Sequence, residues 1–427
     1  MDFRSFLNDL DRREKLIHIT DEVSHKYEIA KELKKSENAL LFEKIHEKEM
    51  KVAGNIFGSR DRIAMGLGVN RDQLIDEMRK SISNPKSPSL TSEAPVQEVV
   101  EEDVNLRKLP ILRHYENDGG PYVTSSTIVA KDLDGNRNLS FHRLQLVADN
   151  RFAVRLVPRD LHKIFEDSEE KGRSLEIAAV LGVGAELALA AATSASSDVD
   201  EYKIAGALSE ELELTKCQSV ELEIPARAEI VMEGKLLAKE WVPEGPFTDV
   251  TGTYDVVRQQ PVFQVDCITR RKDAIYPAIL PGGSEHQLLM GLPREPMIFE
   301  ETEKVADIKD VALTPGGCRW LHAVVSINKQ DSGDGRQAIE AAFKAHSSLK
   351  HVVVVDSDID IYDSEEVEWA IATRCRADRD VVIKSDVEGS SLDPTADPMR
   401  KLGSKMGIDA TKDLDNLDKF ERAQIPK

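Results

Sequence analysis

Phe3, Phe6, Leu7 and Leu10 repeat at helical spacing, and Tyr27 to Leu33 repeats the pattern. Ala39 to Phe42 and Val52 to Phe57 are apolar runs of strand length. Arg71 to Ile82 is helical again, until Asn84-Pro85-Lys86-Ser87-Pro88-Ser89 breaks it. From Tyr122 the period changes to two. Ser125 to Ala130, Asn138 to Val147 and Phe152 to Val157 alternate as strands around turns at Asp132 to Asn136 and Ala148 to Asn150. Glu221 to Ile224, Ala228 to Met232 and Val262 to Thr269 extend the set, with an Ala/Leu-rich helix over Gly184 to Ala192. A meander of this kind closes most naturally as a barrel or a curved sheet. The last third changes again. Strands at Trp320 to Ile327, His351 to Val355 and Val381 to Lys384 alternate with helices at Arg336 to His346 and Glu365 to Thr373, which predicts a parallel three-layer α/β unit. The fold class is α/β in three parts: an N-terminal α/β segment over 1–95, a β-rich domain over 96–305 and a C-terminal α/β domain over 306–427. There is no internal repeat, and Ala190 to Ser197 is the only biased stretch.

A chain of 427 residues exceeds one ordinary core, in keeping with that division. Fifty-seven Lys and Arg face 77 Asp and Glu, a formal charge of −20. That balance excludes tracking a nucleic-acid backbone and serves solubility. No apolar run reaches bilayer length, and Met1-Asp2-Phe3-Arg4-Ser5 lacks a signal-peptide core, so a cytoplasmic protein without membrane partners is expected. Cys217, Cys267, Cys318 and Cys375 form no C-x-x-C pair, which argues against a structural zinc or a disulfide framework; Cys267 reads as core. Gly66-Leu67-Gly68 lacks the third glycine of a dinucleotide fingerprint and reads as a turn. Asp356-Ser357-Asp358 opens like a calcium loop, but Ile361 and Val367 stand where its glycine and glutamate belong; these acids are expected to cap a strand or helix end. Asp331 to Gly335 reads as a turn and cap.

The chemistry concentrates in Trp241-Val242-Pro243-Glu244-Gly245-Pro246-Phe247-Thr248-Asp249. A Gly-Pro bend lets Glu244 and Asp249 converge on one pocket. Two close carboxylates can then divide the work, one donating a proton while the other stays an anion. A solvated loop is the alternative. Arg143, on a predicted strand, offers a planar fork for a carboxylate or phosphate, with an ordinary salt bridge as its alternative.

Glu244-Gly245-Pro246-Phe247-Thr248-Asp249 with Thr251-Gly252-Thr253-Tyr254 resembles the carboxylate motif of the UbiD-type decarboxylases, enzymes that remove CO2 from unsaturated or aromatic acids with prenylated FMN. Four further segments match in order: Asn138-Leu139-Ser140-Phe141-His142-Arg143-Leu144-Gln145, Glu201-Tyr202-Lys203-Ile204-Ala205-Gly206, Pro225 to Gly234, and Leu402 to Thr411. The resemblance implies a flavin-binding split β-barrel and a C-terminal α/β domain that mediates oligomerisation, as a dimer or hexamer. It assigns Arg143, Glu244 and Asp249 to catalysis, with Asp249 as proton donor and Glu244 holding Arg143. Asn138, Ser140, Phe141, His142, Arg143, Arg155, Leu156, Glu201 and Lys405 fall on cofactor-binding positions. Asn138 and Glu201 match ligands for Mn2+ or Mg2+, with K+ as a further candidate. The family's third ligand, a histidine, falls near Arg159, which cannot bind a cation; His162 is the expected replacement, with Asp160 as an alternative. Asn138 and Arg143 lie an odd number of residues apart, so a regular strand would turn them to opposite faces unless it bulges. His142 and His286 are further pocket candidates.

The chain looks like the short archaeal members, which include the decarboxylase of trans-anhydromevalonate 5-phosphate that yields isopentenyl phosphate in isoprenoid synthesis. That phosphorylated unsaturated acid is the expected substrate, with a flavin prenyltransferase supplying the cofactor. An aromatic acid of the 4-hydroxybenzoate type is the alternative within the family. A non-catalytic flavin-binding scaffold is the alternative outside it, and it has no need of Arg143, Glu244 and Asp249 together.

Overall fold

Helix α1 (Phe3–Arg12) forms where the pattern places it. Asp2 caps it by accepting from the Ser5 N–H, and Phe3, Phe6, Leu7 and Leu10 are buried. The computed structural model describes residues 1–193, 199–397, 400, 402–423 and 425. The Ala/Ser-rich run ends outside them, at residues 194–197. Contacts divide the chain into two compact units, Met1–Leu289 and Met290–Lys427. Among the described residues no helix is long and apolar enough to cross a membrane.

In the first unit, β1 (Leu16–Val23), β2 (Ala39–Ile45) and β3 (Lys51–Gly54) form a small mixed sheet with Ile275–Ala278, beside helix α2 (Glu28–Lys35). The larger sheet is antiparallel throughout. Its strands are β4 (Tyr122–Val123), β5 (Thr127–Lys131), β6 (Arg137–Phe141), β7 (Leu144–Ala148), β8 (Arg151–Val154), β9 (Leu175–Leu181), β10 (Ile230–Glu244) and, after a two-stranded ribbon of β11 (Phe247–Thr248) and β12 (Tyr254–Asp255), β13 (Arg258–Arg270). Their order is β4-β7-β8-β13-β10-β9-β5-β6, with Val99–Glu101 added to β13. Ile128, Ile177, Ala179, Ile230, Met232, Phe263 and Val265 are buried together in its core.

The alternation predicted one strand over Asn138 to Val147; there are two. Only His142 and Arg143 join β6, at one end of the order, to β7, beside the other end. A two-residue link spans that distance only if the sheet curls until its edges approach, the geometry of a split barrel. The same corner removes the parity problem, because Asn138 and Arg143 do not share a strand. Strand β10 also runs much further than Ala228 to Met232. It kinks between Leu236 and Trp241, where its register to β13 shifts, and ends at Glu244.

In the second unit, β14 (Ile308–Leu313), β15 (His322–Ile327), β16 (His351–Asp356), β17 (Val381–Glu388) and β18 (Leu402–Ala410) form one sheet in the order β14-β15-β16-β18-β17. It is mixed, not wholly parallel. Pairs β15·β16 and β16·β18 are parallel, while the edge strands β14 and β17 run antiparallel. Among the described residues the links to the edges carry no crossover helix, which is what parallel neighbours require. Helix α6 (Asp334–Ala345) sets Ile339 against Gly407, while Ile408 packs with Val367 and Ala370 of helix α7 (Ser364–Arg374). Consecutive strand residues face opposite ways, so the helices cover opposite faces and the unit has three layers. Asp356 ends β16, and both it and Asp358 bind Arg374, while Asp363 caps α7. Asp334 accepts from the Gln330 and Asp331 N–H groups, the expected turn. Gly68, with φ +74°, ends the helix Arg60–Leu67, and Cys267 is buried.

Candidate active site

The corner between β6 and β7 turns Arg143 inward to the end of β10. Its Nε and Nη2 donate to the two oxygens of Glu244 at 2.8 and 3.1 Å. Nη1 donates to Asp249 Oδ2 at 3.0 Å, and Nη2 also donates to Asp255 Oδ2 at 3.2 Å. The guanidinium lies over the Phe247 ring, 4.4 Å from its centroid, so the aromatic residue of the motif is its platform. Burial alone would lower the pKa of Arg143; Glu244, Asp249 and Asp255 outweigh it and raise it. Glu244 is fully buried, whereas the side chains of Asp249 and Asp255 keep 18% and 13% exposure, so they are the acids a proton or substrate can reach.

The surrounding loops hold this geometry. The Gly245 N–H donates to the Tyr122 hydroxyl at 3.1 Å and to Gln145 Oε1 at 2.9 Å, and the same hydroxyl lies 3.2 Å from Glu244 Oε1. Gly119 approaches the Gly245 carbonyl so closely that any side chain there would collide with it. Asp118 accepts from the Thr248 N–H at 3.2 Å, and the Asp249 and Gly252 N–H groups close a turn after β11. On the far side lies His286, in the first turn of helix α5 (Ser284–Gly291), which follows α3 (Asp160–Glu170) and α4 (Glu201–Leu208) along the chain. His286 Nδ1 accepts from the Gly282 N–H at 3.0 Å. Burial lowers its pKa, against the pull of Asp249's charge, so it faces Asp249 as a neutral ring. Behind it His114 has no hydrogen-bond partner for either ring nitrogen, and burial, with His286 nearby, pushes it down to about 3.

The metal-ligand expectation divides. The structure brings Asn138 and Glu201 together: Asn138 Nδ2 lies 3.4 Å from Glu201 Oε1, and Oε2 accepts from the Leu139 N–H at 2.9 Å. His162 does not join them. Because α3 begins at Asp160, His162 stands one turn from Glu166 and binds it at 3.0 Å. Arg159 precedes that helix as its N-cap residue. Among the described residues no group of three or more His, Cys, Asp or Glu is gathered for a metal. Asp160 does lie within charge reach of Glu201, whose carboxyl is pushed up to about 7 by burial first, with Asp200 and Asp160 adding to it.

Hydrogen-bond logic supports a cation beside Glu201. His142 Nδ1 faces the Arg155 carbonyl at 2.9 Å and must carry the hydrogen; burial holds its pKa down at about 4, so Nε2 is bare and accepts from Ser140 Oγ at 2.9 Å. Ser140 has one hydrogen and also stands 3.0 Å from Asn138. Ser140 must therefore accept from Asn138, which turns the Asn138 amide so that its oxygen faces Glu201. Two oxygens then face each other across a buried gap that needs a proton or a cation. Phe141 lines a cavity of about 30 Å³ with Ser125 and Ile279. Arg155 and Leu156 follow β8: the Arg155 N–H donates to the Arg143 carbonyl and its Nε lies 3.8 Å from Asp255, while the Leu156 N–H donates to Gln260. Lys405 belongs to the second unit, where its ammonium donates to the Ser347 carbonyl at 2.6 Å.

Sequence reasoning missed Asp255, Tyr122, Gln145, Asp118 and His114. Asp255 directly follows the Thr-Gly-Thr-Tyr segment, a position that marked it. Gln145, on β7, closes the Asn138-to-Gln145 segment, whereas Tyr122 on β4 and His114 and Asp118 before it lie outside every segment singled out in the sequence.

An arginine shared by three carboxylates at the corner of a curled antiparallel sheet is a site built to bind an acid and move a proton, the needs of a carboxy-lyase. Three family domains match the chain: the 3-octaprenyl-4-hydroxybenzoate carboxy-lyase N-terminal domain over residues 7–82, the Rift-related domain over 89–284 and the C-terminal domain over 287–410. An anhydromevalonate phosphate decarboxylase of Methanothermobacter thermautotrophicus is 44% identical over 423 residues, 98% of this chain and 99% of that protein. The UbiD-class enzyme HmfF from Pelotomaculum thermopropionicum, solved with FMN, matches with a TM-score of 0.98 and 39% identity, covering 100% of this chain and 98% of that one. An evolved dimeric form of HmfF with prFMN gives 0.93 at 39% identity, covering 100% and 97%. The chain belongs to the UbiD family of carboxy-lyases.

Proposed function

We propose that this chain is a prenylated-FMN-dependent decarboxylase that converts trans-anhydromevalonate 5-phosphate to isopentenyl phosphate. The observation that carries the chemistry is the four-bond attachment of Arg143 to Glu244, Asp249 and Asp255. The substrate rests on the near-full-length likeness to anhydromevalonate phosphate decarboxylase. The cofactor, when bound, supplies the electron sink that loss of CO2 requires. This chain's residues do the rest. Arg143 orients the substrate carboxylate and is itself kept in place by the fully buried Glu244. Asp249, the most exposed of the three acids, delivers a proton to the carbon that has lost CO2. The neutral rings of His286 and His114 line the same side without adding a charge.

Asn138 and Glu201 would hold a divalent cation, Mn2+ or Mg2+, against the cofactor phosphate, with Asp160 in the place expected of His162. Oxygen donors suit either ion. The reading includes a flavin prenyltransferase as supplier and assembly as a homo-oligomer, for which the dimeric HmfF is a precedent. Co-expression with a flavin prenyltransferase, followed by incubation with trans-anhydromevalonate 5-phosphate and with 4-hydroxybenzoate, tests it: CO2 release from the first alone is expected, and release from the second alone would replace the substrate.

A further inference from the structure

Asp255 lies outside the Glu-Gly-Pro-Phe-Thr-Asp motif, yet it touches the catalytic arginine. It accepts from Arg143 Nη2 through Oδ2, and from Arg258 Nη1 through Oδ1. Arg155 approaches the same Oδ2 at 3.8 Å. A guanidinium has five N–H bonds. Glu244 takes two from Arg143, Asp255 one and Asp249 one. Asp255 therefore holds the Nη2 hydrogen on the Nη1/Nη2 edge, the edge through which Asp249 would otherwise gain a second bond.

We propose that Asp255 is a positioning residue that keeps Arg143 from pairing fully with Asp249, so that Asp249 remains able to take up and deliver a proton. This rests on Asp249 being the proton donor. The charged and titratable groups around Asp249 leave this task to Asp255. Glu244, from the end of β10, is committed to the Nε/Nη2 edge with its own bidentate pair. His286, from α5, is neutral. Arg258 and Arg155, from β13 and the end of β8, face Asp255. Among the described residues the other hydrogen bond of the Asp249 side chain comes from the adjacent Val250 N–H, to Oδ1 at 2.7 Å, and it does not involve Asp255. Removing the Asp255 charge frees Arg143 Nη2 and takes an anion from beside Asp249; both effects favour the ionised form of Asp249.

The test reads Asp249 itself and needs neither substrate nor loaded enzyme. Infrared difference titration of the apoprotein follows the protonated-carboxyl band that is present in the parent and missing in Asp249→Asn. Asp255→Asn is expected to lower the midpoint of that band by about one pH unit, a tenfold change in protonation equilibrium, while Asp255→Glu, which keeps the charge, leaves it within a few tenths. Arg258→Gln, which leaves Asp255 more dependent on Arg143, is expected to raise it and serves if Asp255→Asn does not fold. An unchanged or raised midpoint in folded Asp255→Asn, or a lowered one in Arg258→Gln, overturns the proposal. If instead Asp249→Asn decarboxylates like the parent, the proton-donor assignment fails, and this result is separate from the titration.

Discussion

Glu244→Gln isolates the bond on which the site depends, because it keeps the shape of the side chain and removes its charge. In the parent, both Glu244 oxygens accept from Arg143, at 2.8 and 3.1 Å. A glutamine can accept one of these bonds, and its amide then points N–H at the other N–H. One charge-assisted hydrogen bond is lost, worth about 1.5–3 kcal/mol, and a buried donor is left facing a donor. Breaking a buried pair outright costs about 3–5 kcal/mol, but Arg143 keeps Asp249 and Asp255, so about 2–3 kcal/mol is expected. Because Arg143 now leans on the remaining acids, turnover should fall as well, by at least about tenfold in kcat. Urea unfolding of the apoprotein with Trp320 and Trp369 replaced by Phe in parent and variant, so that fluorescence reports Trp241 near the end of β10, reads the first quantity, and steady-state decarboxylation reads the second. A variant that unfolds within about 0.5 kcal/mol of the parent and turns over normally would show that the fork is dispensable.

Asp249→Asn should keep the cofactor and lose about 10²–10⁴-fold in decarboxylation rate, since an amide cannot deliver the proton; parent-like turnover with full flavin content removes Asp249 from that role. Glu201 makes a pH prediction. Its folded carboxyl sits at about 7 against an ordinary 4.5, so between these values the folded state holds the proton and the unfolded state has lost it. Stability of the cation-free protein should therefore fall as pH rises from about 5 to 7, on the order of 3 kcal/mol when complete. In melting curves across that range Glu201→Gln should be flatter than the parent, and Mn2+ should stabilise the parent more at pH 8 than at pH 6; identical slopes would refute the assignment. Asp160→Asn should lower Mn2+ content in the purified protein while His162→Ala leaves it unchanged, with metal analysis of the two variants reading the difference and the reverse pattern restoring His162.

Much of this site was legible because its determinants are local. Glu244, Gly245, Pro246, Phe247 and Asp249 lie in one stretch, so the spacing carried the convergence of the two carboxylates while the resemblance supplied their roles. Arg143 was found through its segment, but the alternation of Asn138 to Val147 concealed the corner that aims it. Hydrophobic period reports which face a residue takes; it does not report where a two-residue link ends one strand and carries the chain across to begin the next. Asn138 and Glu201, 63 positions apart, were paired by resemblance, and the fold brings them within 3.4 Å. His162 stands apart from Asn138 and Glu201 for a helical reason: once α3 starts at Asp160, the i,i+4 partner Glu166 holds the ring. Asp255 was overlooked because its role depends on the β11–β12 ribbon folding back onto Arg143, a tertiary event with no periodic signature. In the last third, alternating strands and helices were correctly placed, while strand direction at the edges of the sheet, set by the connections, was not.

The most direct measurement follows CO2 and product from holo-protein, reconstituted with prenylated FMN and Mn2+, given trans-anhydromevalonate 5-phosphate in D2O, with the Asp249→Asn holo-protein alongside. Isopentenyl phosphate carrying one deuterium at the carbon that lost CO2 is expected, with at least about a hundredfold slower release from the variant. Stoichiometric cofactor with no CO2 release from this acid, or equal rates from parent and variant, would contradict it.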